Sequence, residues 1–298
     1  MKGLKRFISA GVATMLLAAT IYGASCSLKP KDLVDSMKAN ETTETVAENS
    51  DAEAFSYEKY KQDLTDHCHI ERWQGKEYIV CDQSYLLELS RYALDDLKNK
   101  YQAVGVKSIG SNTDNFYPTW FNENFICSVI FTETSNRILN GDGNVFVTER
   151  TDASGKQTRY YGPTQITADT IETLNNWYGN IGLNKVGIED LNDPLKAIEI
   201  TAGVFSYICK FYANLDPSTK QYNEPNNIFK YGIEKNEINQ FIATVGGYEG
   251  IGDLKKSAIN GTFFDVYVHD KDQRGYANYI RTVRKNIDYV SNEGGIAK

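Results

Sequence analysis

The sequence predicts an α+β chain, mainly helical, with a small β-hairpin in its main domain and a short N-terminal appendage. Three observations carry this. Long segments, notably residues 85–101 and 195–212, repeat apolar side chains at helical spacing. Two short stretches, 145–149 and 157–161, have strand composition around the turn Asp152-Ala153-Ser154-Gly155. No internal repeat, P-loop or glycine-rich dinucleotide turn interrupts the helical pattern.

At 298 residues the chain suffices for one large domain, or one domain with an appendage. Its formal charge is −7, and no Lys/Arg cluster follows the first few residues, so nucleic acid is not an expected partner. Aromatic residues make up 12% of the chain, and twenty of them are Tyr, a side chain joining a stacking face to a hydroxyl. That combination suits carbohydrate, though it is also common in small exported folds.

Residues 1–25 read as an export signal. Lys2, Lys5 and Arg6 precede the short apolar run 7–22, and Gly23-Ala24-Ser25 places small residues before Cys26. The run is too short for a comfortable membrane span. Small residues directly before Cys resemble a bacterial lipobox, with Gly23 standing where that pattern usually has Leu. The resemblance implies that Cys26 is diacylated and anchors the chain to a membrane; ordinary cleavage near Ser25 is the alternative. Removing residues 1–25 takes away three positive charges and no negative ones, leaving −10. Residues 26–55 are rich in Glu, Thr, Asn, Ala and Ser without hydrophobic period, and read as a flexible acidic tether.

Residues 56–114 read as an N-terminal helical and hairpin appendage. A hairpin spans 70–80 around Gln74-Gly75, an amphipathic helix covers 85–101, and a loop covers 105–115. Next comes the opening helix of the main domain, at 120–138. Strands at 145–149 and 157–161 follow, then a helix at 168–178 capped by Thr167. Asp190 to Pro194 starts a long apolar helix to residue 212. A helix at 237–246, a glycine-rich turn at 246–252 and a last helix at 273–289 complete the chain, with 291–298 as a tail.

Apart from Cys26 there are four cysteines, an even number that permits disulfides in an exported chain. Cys68 and Cys81 flank the first hairpin and are the expected pair. Cys127 and Cys209 sit in apolar helical runs, where buried thiols and a bridge are equally consistent with the pattern. His67-Cys68-His69 lacks further nearby ligands and reads as a structural Cys between surface imidazoles, so no metal and no cofactor is expected.

The residues with most chemical content begin at Glu133. Phe125, Ile126, Val129 and Ile130 recur at helical spacing and Phe131 thickens the stripe, so Glu133 stands at the end of a buried helix. Burying a carboxylate raises its pKa, which is what a general acid needs near neutral pH. The ordinary alternative is a solvated Glu in a last helical turn.

Four ordered motifs resemble the lysozyme-like domain of the soluble lytic transglycosylases, a family that cleaves peptidoglycan glycan strands. The first is Glu133-Thr134-Ser135, with Ser one place late. The second is Gly162-Pro163-Thr164-Gln165-Ile166-Thr167, which keeps Gly and Gln. The third is Gly247-Tyr248-Glu249-Gly250, with Glu in place of Asn, and the fourth is Tyr279-Ile280 before Val283. An Asp193-Pro194 helix start also fits. The resemblance covers residues 115–290.

It implies a lysozyme-like fold and cleavage of the β-1,4 bond between N-acetylmuramate and N-acetylglucosamine, with a 1,6-anhydro product. Glu133 would serve as the single acid/base, its pKa raised by the apolar helix and Tyr161. Ser135, Tyr161, Gly162, Gln165, Tyr248, Glu249 and Tyr279 would bind substrate. Gly162 would admit the sugar, Gln165 would position it, Tyr248 would orient the acid or the substrate, and Tyr279 would line the cleft. Glu249, or a hairpin acid among Asp142, Glu149 and Asp152, could instead hold a water for hydrolysis. A glycan-binding lipoprotein serving a cell-envelope assembly partner is the non-enzymatic alternative.

Overall fold

A computed structural model describes residues 63–64, 66–110, 115–151, 154–262 and 275–293. The leader, Cys26, the tether, Asp152 and residues 294–298 lie outside them. The chain is α+β, as its periodicity predicts. A three-stranded antiparallel sheet contains β1 (Cys68–Trp73), β2 (Lys76–Cys81) and β3 (Arg137–Asn140), with β2 in the middle. The second sheet is the hairpin of β4 (Val147–Thr151) and β5 (Gln157–Tyr161). Six α-helices are described: α1 (Gln83–Ala103), α2 (Glu123–Thr134), α3 (Ala168–Ile181), α4 (Pro194–Tyr212), α5 (Glu237–Ile259) and α6 (Gly275–Glu293).

Helix α4 is the axis of the core. Pro194 occupies its first turn, where a missing N–H costs nothing, and Asp193 Oδ1 accepts from the N–H groups of Leu195 (2.9 Å) and Lys196 (3.3 Å). Its apolar residues run most of the way round, so it is enclosed by neighbours. Helices α1, α3 and α5 pack on it, and α6 packs along α2 and α5. Asn286 of α6 donates to Thr132 of α2 at 2.8 Å, and Tyr289 stacks on Phe131 at 5.3 Å. These contacts fix the helix that carries Tyr279 against the helix that carries Glu133.

The described part of segment 56–114 packs into the core of the residues that follow it. Leu86, Leu89, Leu97 and Tyr101 of α1 share one core with α2, α4 and α6, and β2 pairs with β3, which begins three residues after α2. Several expectations are corrected. The opening helix is shorter than 120–138. Ser135 and Asn136 adopt left-handed backbone (φ 53° and 64°) and turn the chain into β3, so Ile138 belongs to a strand.

The glycines of 246–252 form no turn; they lie within α5, kinked at Gly250 (φ −172°, ψ 76°). Gly247 is there for packing, since a β-carbon would stand 3.1 Å from Ile208 Cγ2 on α4. The tail beginning at residue 291 is helical as far as Glu293. Cys127 and Cys209 are buried free thiols, pushed up to about 12 by burial, so no bridge joins them.

Candidate active site

The site is assembled on the turn between β5 and α3. Gly162 (φ 67°) and Gln165 (φ 56°) are both left-handed, a conformation that suits glycine and strains glutamine. Backbone bonds between Tyr161 and Ile166 close the turn in both directions, at 2.8 and 3.0 Å. Three carbonyls inside it each receive a side-chain donor from a different source. Gly162 O accepts from the Gln165 side chain at 3.0 Å, Pro163 O from the Thr134 hydroxyl at 3.0 Å, and Thr164 O from the Tyr248 hydroxyl. The turn thus holds the end of α2, the middle of α5 and the base of the hairpin together.

Glu133 lies in the last turn of α2, half-buried, one residue before the Thr134 that is tied to the turn. Burial pushes its carboxyl up to about 7; the Tyr279 hydroxyl opposes this, the neighbouring Glu249 carboxylate adds to it, and Arg150 opposes it. Tyr279 is almost wholly buried, and its hydroxyl faces Glu133 without a hydrogen bond of standard geometry. Tyr248 stacks between Phe205 (4.6 Å between ring centroids) and Tyr279 (6.1 Å), so the two site tyrosines share one aromatic column. Burial holds both phenols protonated, far above their usual range.

The second carboxylate is Glu249, half-buried beside the kink of α5 and also raised by burial, with Arg150 pulling the other way. Arg150 was not anticipated from sequence. It projects from the same face of β4 as Thr148, opposite Thr158 and Tyr160 on β5, and its guanidinium lies 4.8 Å from the Tyr160 ring. The candidate hairpin acid Glu149 is on the other face, bonded to Arg159 at 2.8 Å, and Asp142 is exposed with its carboxylate bonded to the backbone of Asn144.

Other sequence-predicted residues take different places. Ser135 is exposed at the left-handed C-cap, and the hydroxyl that enters the site's framework belongs to Thr134. Gln165 has its carboxamide engaged at both ends, donating to Gly162 O and accepting from Thr148, so it ties the hairpin to the turn. Tyr161 closes the turn through its backbone, and the aromatic partner acting on the Glu133 carboxyl is Tyr279. Tyr248 also lines a cavity of about 200 Å³ between α3, α4 and α5, together with Leu174, Val204, Tyr207 and Ile208.

Chemically, the arrangement offers a proton held near neutral pH, a second carboxylate within electrostatic reach, one cation facing both, and tyrosines beside them. The described residues contain no cluster of His, Cys, Asp and Glu able to hold a metal ion, and none of their helices is long and apolar enough to cross a membrane. No family model, no curated protein and no solved structure matches this chain.

Proposed function

We propose that the protein is a lysozyme-like lytic transglycosylase that cleaves the β-1,4 bond between N-acetylmuramate and N-acetylglucosamine in peptidoglycan, with Glu133 as acid and then base. The observation that carries this reading is the Glu133 carboxyl, held half-buried at a helix end with its pKa raised to about 7. Such a group donates a proton to a glycosidic oxygen as positive charge develops on the departing sugar carbon. The resulting carboxylate takes the proton of the muramate C6 hydroxyl as that oxygen closes onto C1, giving a 1,6-anhydro end without water.

The stacked Tyr248 and Tyr279, and Arg150 on the β4–β5 hairpin, are the groups acting on the Glu133 carboxyl and so support the reading. The leader and lipobox-like segment support an exported protein anchored at the bacterial envelope through Cys26, working on glycan strands or beside an envelope assembly partner.

A second reading is favoured by Glu249. A raised carboxyl within electrostatic reach of Glu133 would, once ionised, act as base for a water, and the enzyme would then be a hydrolytic muramidase. Incubation with muropeptide strands followed by mass spectrometry distinguishes the two. Anhydromuramyl ends support the first reading, hydrated reducing ends the second, and binding without cleavage makes the domain a glycan-binding lipoprotein.

A further inference from the structure

We infer that Cys68 and Cys81 are a modification site, closing to an intramolecular disulfide that locks the open end of the β1–β2 hairpin. The phase of the ladder supports this. The two-residue turn Gln74-Gly75 makes Trp73 and Lys76 a hydrogen-bonded pair, and alternation from there leaves Cys68 and Cys81 as a non-hydrogen-bonded pair. The bond from Asp82 N to His67 O, 2.9 Å, fixes the same phase one step further on. Partners of this kind have Cα atoms about 4.5 Å apart, inside the window of roughly 4.4–6.8 Å that a disulfide spans. The two sulfurs already lie 2.9 Å apart as thiols. Cys127 is also near Cys81, but its thiol contacts Ser90 (3.3 Å), whereas Cys68 contacts the Cys81 sulfur itself; Cys209 is buried beside Gly110.

The chemistry balances with a disulfide-exchange oxidant such as oxidised glutathione. Cys68 is half-buried and accessible, whereas Cys81 is 1% exposed, so Cys68 is the entry thiol. Its thiolate attacks one glutathione sulfur and expels a glutathione thiolate. Cys81 then attacks Cys68 in the mixed disulfide and expels the second. The two protein thiols lose two electrons and two protons, and two molecules of reduced glutathione carry them away.

The consequence is mechanical. Strand β1 is a sheet edge with three of its six residues exposed, and the preceding chain enters at the end where Cys68 lies. An open hairpin end frays first. Cys81 N also donates to Asn136 O at 3.1 Å, so the bond ties the edge strand to backbone just past Glu133.

The test uses the full mature chain with Cys26→Ser, equilibrated in excess oxidised glutathione, quenched with an alkylating agent and mapped by mass spectrometry. The expected result is loss of two hydrogen masses, a cross-linked Cys68–Cys81 peptide, and alkylation of Cys127 and Cys209 only after denaturation. Reductant should lower the melting temperature to that of Cys68→Ser. Free Cys68 under these conditions, a bridge to another cysteine, or a melting temperature indifferent to reductant overturns the inference. None of these readouts depends on glycan cleavage, so the result stands apart from the functional reading.

Discussion

The outer hairpin β1–β2 and the inner hairpin β4–β5 are similar in size, with six and five paired positions, yet they are held by different physics. The outer one is sewn into a sheet. Tyr78, Val80 and Cys81 are buried, β3 completes the ladder, and the Arg137 side chain braces the turn half. Arg137 donates to Thr134 O (3.0 Å) and Glu71 (3.2 Å) and lies over the rings of Trp73 (4.5 Å) and Tyr78 (5.6 Å). The inner hairpin buries no side chain of either strand and keeps polar groups on both faces. A two-stranded ribbon without an apolar face is marginal by itself. It is retained by Tyr161–Ile166 and Thr148–Gln165, and what it delivers is Arg150. One hairpin supports the end of α2 mechanically; the other sets the electrostatics in front of it. Substitutions should therefore separate stability from pH profile.

The largest effect belongs to the residue between the two. Glu133→Gln should lower cleavage of muropeptide strands about 10³-fold, within the range of general acid–base catalysis. Stability should move the other way. A carboxyl raised from 4.5 to about 7 makes the folded state bind more protons than the unfolded state across that window, so stability falls as pH rises through it. The cost at pH 8 is at most about 3 kcal/mol, reduced by the solvent that reaches a half-buried group. Denaturant unfolding should find Glu133→Gln more stable than wild type at pH 8 and equal at pH 4. A variant no more stable at pH 8 would mean that burial does not raise this carboxyl.

Arg137→Ala tests the outer side. It removes a charged donor from Thr134 O, an ion pair and a stack on Trp73, and should cost about 2–3 kcal/mol by denaturant unfolding. The pH profile of the surviving activity should keep its position. A shifted profile would make the outer sheet part of the electrostatics and erase the division. Arg150→Ala is the mirror image: cleavage down about tenfold, melting temperature nearly unchanged, and the alkaline limb of the pH profile displaced upward. The sign follows because Arg150 lowers the Glu133 carboxyl, so its removal lets the proton persist to higher pH. An unmoved limb would place Arg150 away from the groups acting on Glu133, and a limb moving toward acid would reverse the sign of its effect.

The same contrast explains what the sequence could reveal. Helices α1, α3 and α4 are legible because each buries a periodic stripe, and α3 and α4 carry caps at Thr167 and Asp193 that accept from the first turn. Strand β3 is not legible, because Arg137-Ile138-Leu139-Asn140 holds only two apolar residues, too few to show a period, and the residues that break the helix are Ser135 and Asn136, neither Gly nor Pro. The glycines of α5 mislead for the opposite reason: Gly247 serves close helix packing.

At the site, Glu133 follows from its buried helix and Tyr248 and Tyr279 from motif order. The only signal for Arg150 is the alternation Thr148/Arg150 in β4, which the acidic residues Glu149 and Asp152 beside it obscure. Thr134 was hidden by Ser135, because a one-residue offset at a helix end decides which hydroxyl turns inward.

Tyr279→Phe should give the smallest effect and the sharpest discrimination. The hydroxyl is buried, lacks a hydrogen bond of standard geometry, and lowers the Glu133 carboxyl. Removing it relieves a poorly satisfied polar group, so the melting temperature should hold or rise slightly, the ring remaining in its stack with Tyr248. The Glu133 carboxyl loses a stabilising dipole and its pKa moves up, carrying the alkaline limb of the activity profile with it by less than Arg150→Ala does. A loss of about 1 kcal/mol or more in stability would instead mean that the hydroxyl is well bonded in solution and that Tyr279 is a structural residue. An unchanged limb would remove Tyr279 from the groups acting on Glu133, leaving burial, Glu249 and Arg150 to set its proton.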